Sequence, residues 1–527
     1  MNEYKYIINP HTGRLQKVHT DEYIASLQGN IGIVPDAPTS LVATTVSDSI
    51  IDLVWVAPLD DGSSLIIGYK IERESPIDGG WSTIISDTGN TDVTYSDIEL
   101  TPTTEYNYRV SAINLSGISL PSNEDDATTL DTSVTYGVSW DEFADTYVRT
   151  GDTLGQPVGQ TLNSPYLPIQ RSMRRCVVLN NGTVNYYLGA TDSTKKEDMI
   201  TASDLTGADG QVMVEIPKFW YKHSYAGTIH TWEISSQAQV GFDVHPAFLS
   251  DAVELDYIYV GAYEAVLYDY SESIYADYTF ESLITSSEDI LSSVSGKRPV
   301  TNHTRSEGRI MASKRGTNWT GMLYDVYSAI QLLYLVEYAS FNSQTMIGSG
   351  ITNVTDWYDI LFYPFAPTGN SNSIGNVSGN NAGGTGYASE ASKYMSYRGI
   401  ENFFGHLWKF VDGININNNR SYICNNALNL ADDTLVNYTD IGIDNINSDG
   451  YQDTLLNIAR GFLPASTGAD SSHKITDNYS QMAGWQPVAT GGACYVGLEA
   501  GFFYLLTALV DSNFSNASAG SRLCFRK

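Results

Sequence analysis

GGACYVGLEAGFFYLLTALVDSNFSNASAGSRLCFRK, residues 491–527, is the stretch on which the reading of this chain turns. Gly491, Gly492, Gly497, Gly501 and Gly520 mark sharp turns or close approaches of the backbone to another segment. Between them stand side chains with neither helical nor strand period, among them Cys494, Tyr495, Leu498, Glu499, Asp511 and Asn513. Arg522, Phe525 and Arg526 give the segment a basic, aromatic finish. A fixed glycine framework carrying mixed residues suits a scaffold that presents a binding surface. An irregular core segment has the same composition, and composition alone leaves the two open.

The chain around it has 527 residues, too many for one hydrophobic core, and length alone predicts roughly three or four domains. An apolar share of 42% is that of folded protein. Lys and Arg number 29 against 60 Asp and Glu, a net charge of −31, which opposes binding to nucleic acid phosphates or to an anionic membrane. The 36 Tyr, with abundant Asn, Ser and Gly, are the palette of adaptable recognition surfaces. Cys176, Cys424, Cys494 and Cys524 are scattered, so no zinc site is expected. A Cys494–Cys524 bridge is conceivable, and buried free thiols are preferred in the absence of signs of an oxidising compartment. The opening MNEYKYIINPHTGRLQKV has no apolar core of a secretion signal, and AIQLLYLVEYA (329–339) is too short for a membrane span and reads as a core helix.

Residues 1–33 are short and polar, and their NPHTG turn resembles the start of many phage tail and fibre proteins, which implies docking to a neighbouring virion subunit. From 34 to 130 the pattern is all-β: IIDLVWVAP, LIIGYKIERE, WSTIIS, VTYSDIEL and YNYRVSAIN alternate between turn residues. Leu100, Pro102, Thr104, Tyr106 and Tyr108 have the spacing of a tyrosine corner, in which the Tyr106 hydroxyl bonds to nearby backbone. With PDAP before and SAINLSGISLPS after, this region resembles a fibronectin type III domain, a β-sandwich used as spacer or adhesive module. Residues 131–216 read as a β-rich intermediate region with a hairpin at Asn180-Asn181-Gly182. Two aromatic strands are expected around Gly227, another within 256–271, and helices over 320–338 and 453–459. The Gly/Asn/Ser-rich stretch 369–386 is expected to be loop.

Over 217–527 three motifs occur in order. FFGHLWKFVDG (403–413) resembles the Trp-and-Asp strand of the formylglycine-generating-enzyme type of C-type-lectin fold, kept at Gly405, Trp408 and Asp412 and departed from at His406, Lys409 and Phe410. GGACY and AGSRLCFRK resemble two later strands of that family, and 319–344 its main helix. The resemblance implies a multidomain chain, mainly β, with an α+β C-terminal region over 217–527. The family's oxidising enzymes carry two cysteines in the penultimate strand, where this chain has Tyr504–Leu509 and no thiol, so this branch of catalysis is not expected. Gly491, Gly492, Gly497, Gly501, Phe503, Tyr504, Leu505, Gly520 and Arg522 match instead the branch of retroelement-diversified phage receptor-binding proteins. That match implies a paratope of Ala493, Tyr495, Val496, Leu498, Glu499, Leu506, Ala508, Leu509, Asn513 and Phe514. It implies a virion tail or fibre protein, made in a host cytoplasm, trimeric, and binding a glycan or protein of the host bacterial surface without entering its membrane.

Other chemistry is sparse. Asn445, Asn447, Asp449 and Asp453 alternate as in a Ca²⁺ loop, although position one is not Asp and the closing carboxylate is replaced by Leu456; a solvated Asx-turn loop reads as well. His223, His230 and His245 fall among aromatic strands, as structural or surface residues. Glu254, Asp256 and Glu264 are the carboxylates a polysaccharide-cleaving tail enzyme would draw on, and nothing in their spacing sets them apart. A purely structural virion protein is the remaining alternative.

Overall fold

In the computed structural model the described residues are 4–8, 14–19, 33–46, 48–74, 79–129, 135–159, 161–250, 253–276, 288–355, 366–381 and 393–527. They fall into two compact units, Met1–Thr132 and Ser133–Lys527. The NPHTG turn, residues 9–13, lies outside the described residues; the strands Tyr4–Ile8 and Leu15–His19 on either side of it pair antiparallel.

The first unit is a β-sandwich. One sheet holds Thr39–Thr45, Ile51–Val56 and Thr94–Asp97. The other runs Asp125–Thr128, Glu105–Asn114, Gly68–Glu74, Trp81–Ile85, with Gly117–Ile118 added beside Glu105–Asn114. Strict alternation builds its core: Ile51, Leu53 and Trp55 point inward while Val54 and Val56 face solvent. Tyr106, Tyr108, Val110 and Ala112 do the same from the facing sheet. The expected tyrosine corner is present, with the Tyr106 hydroxyl accepting from the Thr101 N–H at 2.9 Å. Tyr108 donates to Asp97 at 2.9 Å, and Arg73 pairs with the same oxygen at 2.8 Å, so this buried carboxylate is satisfied.

The second unit is organised around the helix Tyr324–Tyr338, whose fifteen residues are all buried. It is apolar around its whole circumference, which only a core position tolerates. Its polar side chains are met individually. Arg460 holds Asp325 through two bonds (2.7 and 2.6 Å), Gln331 donates to the Phe502 carbonyl (2.8 Å), and Arg398 holds Glu337 (2.6 Å). Three large sheets share this unit: a five-stranded one, a six-stranded one and a nine-stranded one. The six-stranded sheet runs Val184–Tyr187, Arg174–Val178, Gln211–Pro217, Tyr257–Gly261, Leu523–Arg526, Trp319–Gly321, so the last strand of the chain is internal to it. All four cysteines are buried and free, Cys494 and Cys524 included.

Several expectations need correction. The region 131–216 is not an intermediate piece. Thr135–Asp141 pairs along its length with Ile229–Ser235, and Gln211–Pro217 with Tyr257–Gly261, because these buried strands find their ladder partners only beyond residue 216. The helix expected at 453–459 is the strand Gly450–Leu455, paired to Pro464–Thr467 and Asn478–Gln481, and the main helix starts four residues later than expected because Trp319–Gly321 is an edge strand. The strand expected within 256–271 is two, Tyr257–Gly261 and Val266–Asp269, joined through a buried turn. The expected hairpin at Gly182 and the aromatic pair of strands around Gly227 are present. Of the loop 369–386, the described part holds a short 3-10 turn, Asn372–Ile374, and the strand Gly379–Asn381.

One buried acid lies under the segment 491–527. The Asp477 carboxylate accepts from the Phe503 N–H at 2.7 Å, and a Cβ at Gly501 would fall 2.2 Å from its oxygen. Burial pushes this carboxyl up to about 8, against the hydrogen bonds that favour its charged form.

Three tests follow from these contacts. Tyr106→Phe leaves the Thr101 N–H without an acceptor and is expected to cost the first unit about 1–2 kcal/mol in urea unfolding, with the second unit's transition unmoved. Arg398→Met strands Glu337 in the core and is expected to cost the second unit about 3–5 kcal/mol, much of it recovered in the double variant with Glu337→Gln. Because folded Asp477 keeps a proton that the unfolded chain releases near its ordinary value of 3.8, its stabilisation is full below about pH 4 and is lost as pH rises through about 8. Asp477→Asn should therefore gain on the wild type as pH rises across that window, and parallel stability profiles would refute the assignment.

Candidate functional site

The strand Trp485–Thr490, paired to Trp408–Asn417, delivers the chain into residues 491–527. Gly491 and Gly492 both have positive φ, +84° and +79°. A Cβ at Gly491 would fall 2.9 Å from the Phe403 carbonyl, and one at Gly492 would press on Val496 and Ala500. A short 3-10 turn, Gly497–Glu499, leads into Phe502, Phe503 and the strand Leu505–Thr507. Phe502 stacks on Tyr334 of the central helix at 4.4 Å, and its carbonyl accepts from both Tyr327 (2.5 Å) and Gln331 (2.8 Å). Arg522 is fully buried and spends its guanidinium on the carbonyls of Gly261 (2.7 Å), Glu401 (2.5 Å) and Asn402 (3.1 Å). The glycines, the Phe pair and Arg522 are therefore framework.

The residues between them divide. Leu498 is 62% exposed, and Asn513 is exposed as well. Tyr495, Val496, Glu499, Ala508 and Phe514 are half-buried. Ala493, Leu506 and Leu509 are buried at 0%, 7% and 1% exposure and are corrected to core. Leu506 is paired with Ala489 across the sheet and, like Leu509, joins an apolar cluster with Phe410 and Tyr504; Ala493 sits in the tight turn after the glycine pair. Two residues are gained. Val510 is 68% exposed and holds φ +68°, a conformation a β-branched residue adopts only under constraint. Trp408, half-buried, meets the Tyr495 ring edge-on at 5.7 Å. In the sequence Trp408 stands in FFGHLWKFVDG, far from this segment; for Val510 the sequence carries no signal, since φ is set by the turn. The Ser512 hydroxyl ties the turn down by donating to Asp433 at 2.6 Å.

This surface is part apolar and part polar, and the two thiols of the segment, Cys494 and Cys524, are buried. Beneath it Glu264 accepts from His406 and sits 3.1 Å from Lys409 Nζ. Burial alone would raise Glu264, and the His406 and Lys409 charges outweigh it, holding the carboxyl down at about 2; burial brings Lys409 down to about 8. The three side chains are buried and closed on one another. Glu254 and Asp256 are instead surface partners of Lys218, at 3.3 and 3.0 Å. Asp412 is engaged by Arg309. His223 and His230 bond ring to ring at 3.0 Å, and burial lowers both to about 4, while buried His245 caps the turn Pro246–Phe248.

Among the residues nominated for Ca²⁺, three make separate contacts within the fold. Asn445 is buried and donates to Ser421 (3.0 Å), exposed Asp449 accepts from the Gln481 N–H (2.9 Å), and Asp453 lies on a strand beside Lys474. Asn447 is exposed in the turn between them. Three of the four donors are thus engaged in fold contacts, in a stretch that joins two strands of one sheet. Among the described residues no group of three or more His, Cys, Asp or Glu is placed to hold a metal ion.

Residues 36–126 match the family model of the fibronectin type III domain. Myosin-binding protein C, fast-type, of Mus musculus is 34% identical over 101 residues, which are 19% of this chain and 9% of that protein. The slow-type protein of Homo sapiens is 31% identical over 106 residues, 20% of this chain and again 9% of the relative. The chain thus matches only about a tenth of the length of these relatives. Domains A168–A170 from titin share 30% identity over 19% of this chain and 33% of that one, with a TM-score of 0.17. With the two-sheet sandwich and the Tyr106 corner, the match identifies residues 36–126 as a fibronectin type III domain within a mainly β, multidomain protein.

Proposed function

We propose that this chain is a bacteriophage tail or fibre protein that binds a glycan or protein receptor on the host surface. The binding surface is the one carried by residues 491–527 of a C-type-lectin-like domain. The observation that supports this most is the division within the segment. Glycines, Phe502, Phe503 and Arg522 are locked into the core, while Leu498, Val510 and Asn513 project from between them. Such a surface changes its side chains without disturbing its backbone, which suits recognition of a variable partner.

Residues 36–126 serve as the spacer, and the N-terminal segment docks to the particle. A shallow site binds weakly, so affinity at the cell surface comes from several copies on a trimer or on neighbouring fibres. The acidic charge keeps such assemblies soluble and away from nucleic acid. No cofactor is assigned, and the surface recognises without catalysing. A structural role without receptor contact is the competing reading; it requires the 495–514 side chains to be covered by neighbours in the particle.

Removing residues 491–527 would extract an internal strand and is not informative. The triple variant Leu498→Asp, Val510→Asp, Asn513→Ala is confined to exposed positions. Phage carrying it should assemble in normal numbers, keep the protein's unfolding midpoint and adsorb to host cells at least about ten-fold more slowly, the loss of one modest contact set. Adsorption at the wild-type rate would overturn the proposal.

A further inference from the structure

A cleft of about 680 Å³ opens in the second unit, within the size range of small-molecule sites. It lies between the hairpin turn at Asn180, the loop around Gly207, the strands Val266–Asp269 and Ile274–Tyr275, and the side chains of Lys297 and Arg315. Its charge runs against the rest of the molecule. In a chain of net charge −31, none of the described residues lining this cleft is acidic, and two are cationic.

Neither cation has a carboxylate partner among the described residues. Arg315 donates to the Leu291 carbonyl (2.9 and 2.8 Å), to Ser292 Oγ (2.5 Å) and to Asn180 Oδ1 (2.9 Å). All are neutral acceptors, so the guanidinium is fixed in place with its charge uncompensated. The Lys297 backbone is clamped to Thr368 while its ammonium makes no hydrogen bond among the described residues. Of the acids next to this region, Asp209 accepts from Tyr186 (2.9 Å), Glu288 pairs with Lys314 (3.0 Å), and buried Asp289 accepts from the Tyr270 N–H (3.2 Å) with one oxygen and has no partner for the other among the described residues. A fixed guanidinium and an ammonium lining one cleft, neither with a carboxylate partner among the described residues, make a local anion site within an otherwise acidic molecule.

The other wall is aromatic. Tyr268 and Tyr275 are a cross-strand pair, ring centroids 5.0 Å apart and edge to face, and neither hydroxyl has a hydrogen-bond partner among the described residues. A Cβ at Gly207 (φ +99°) would fall 2.2 Å from the Tyr275 hydroxyl, so the loop is shaped around that group. Amphipathic rings with free hydroxyls suit the mixed face of a sugar.

We propose that this cleft binds an acidic saccharide, with Lys297 and Arg315 taking the carboxylate and Tyr268 and Tyr275 taking the ring that bears it. The site is separate from the 491–527 surface and does not depend on the reading given to that surface. Titration calorimetry on the full chain tests it with a hexuronate disaccharide, its neutral counterpart, a sugar phosphate and inorganic phosphate. The hexuronate should bind, its neutral counterpart should bind at least about ten-fold more weakly, and the two phosphates should bind more weakly than the hexuronate. Lys297→Met, at a side chain with no structural bond, should weaken the hexuronate about ten-fold at an unchanged unfolding midpoint. Tyr268→Ala should weaken the disaccharide and leave any binding of inorganic phosphate unaltered. Equal binding of neutral and acidic sugars, tighter binding of either phosphate, or indifference to Lys297→Met would each overturn the proposal.

Discussion

The pairing of Leu523–Arg526 with Tyr257–Gly261 is the constraint on which the second unit depends. Ile258 faces Arg526 and Val260 faces Cys524 across this ladder, joining positions more than two hundred residues apart. Closing so long a loop costs entropy before any contact repays it, so this strand belongs to the late, cooperative part of folding. Arg522, just before the strand, reinforces the closure by binding carbonyls from two other segments. Residues 491–521 are consequently pinned at both ends, by Trp485–Thr490 before and by the terminal strand after. Between those ends Phe502, Phe503, Leu506 and Leu509 are buried, while Leu498, Val510 and Asn513 are exposed.

The second structural theme is charge placed inside apolar packing. The central helix is buried on every side, yet Asp325 and Glu337 each meet an arginine brought from far along the chain. Such pairs add little net stability over an apolar replacement, because desolvation offsets most of the attraction. They do penalise every arrangement in which one partner is missing. Among the apolar side chains of this helix, these pairs supply a rotational register that Leu, Ile and Val cannot. Glu264, His406 and Lys409 form a comparable closed group under the C-terminal surface.

The local patterns were legible where each strand carries its own evidence. Alternation in Ile51–Val56 and the spacing that places Tyr106 by Thr101 announce the sandwich without any partner in view. The run Tyr324–Tyr338 is helical by length and composition alone. Gly450–Leu455 misled because its apolar spacing fits a turn of helix equally well, and its pairing with Pro464–Thr467 and Asn478–Gln481 decides the matter. The boundary at 216 misled for a related reason. Nothing in Thr135–Asp141 says that its partner is Ile229–Ser235, since a strand does not encode the address of its neighbour.

The same division runs through the segment that opened the reading. By itself the sequence determined where the glycines of residues 491–527 mark turns and that the region holding residues 36–126 is a sandwich. These follow from backbone sterics and from short-range periodicity, which are properties of neighbouring residues. Only the tertiary structure decided that Ala493, Leu506 and Leu509 face inward while Leu498 and Val510 face out, and that Lys297, Arg315, Tyr268 and Tyr275 share one cleft. Which side of an irregular segment is covered depends on what other segments arrive to cover it, and those contacts are set by long-range pairing rather than by the residues on either side.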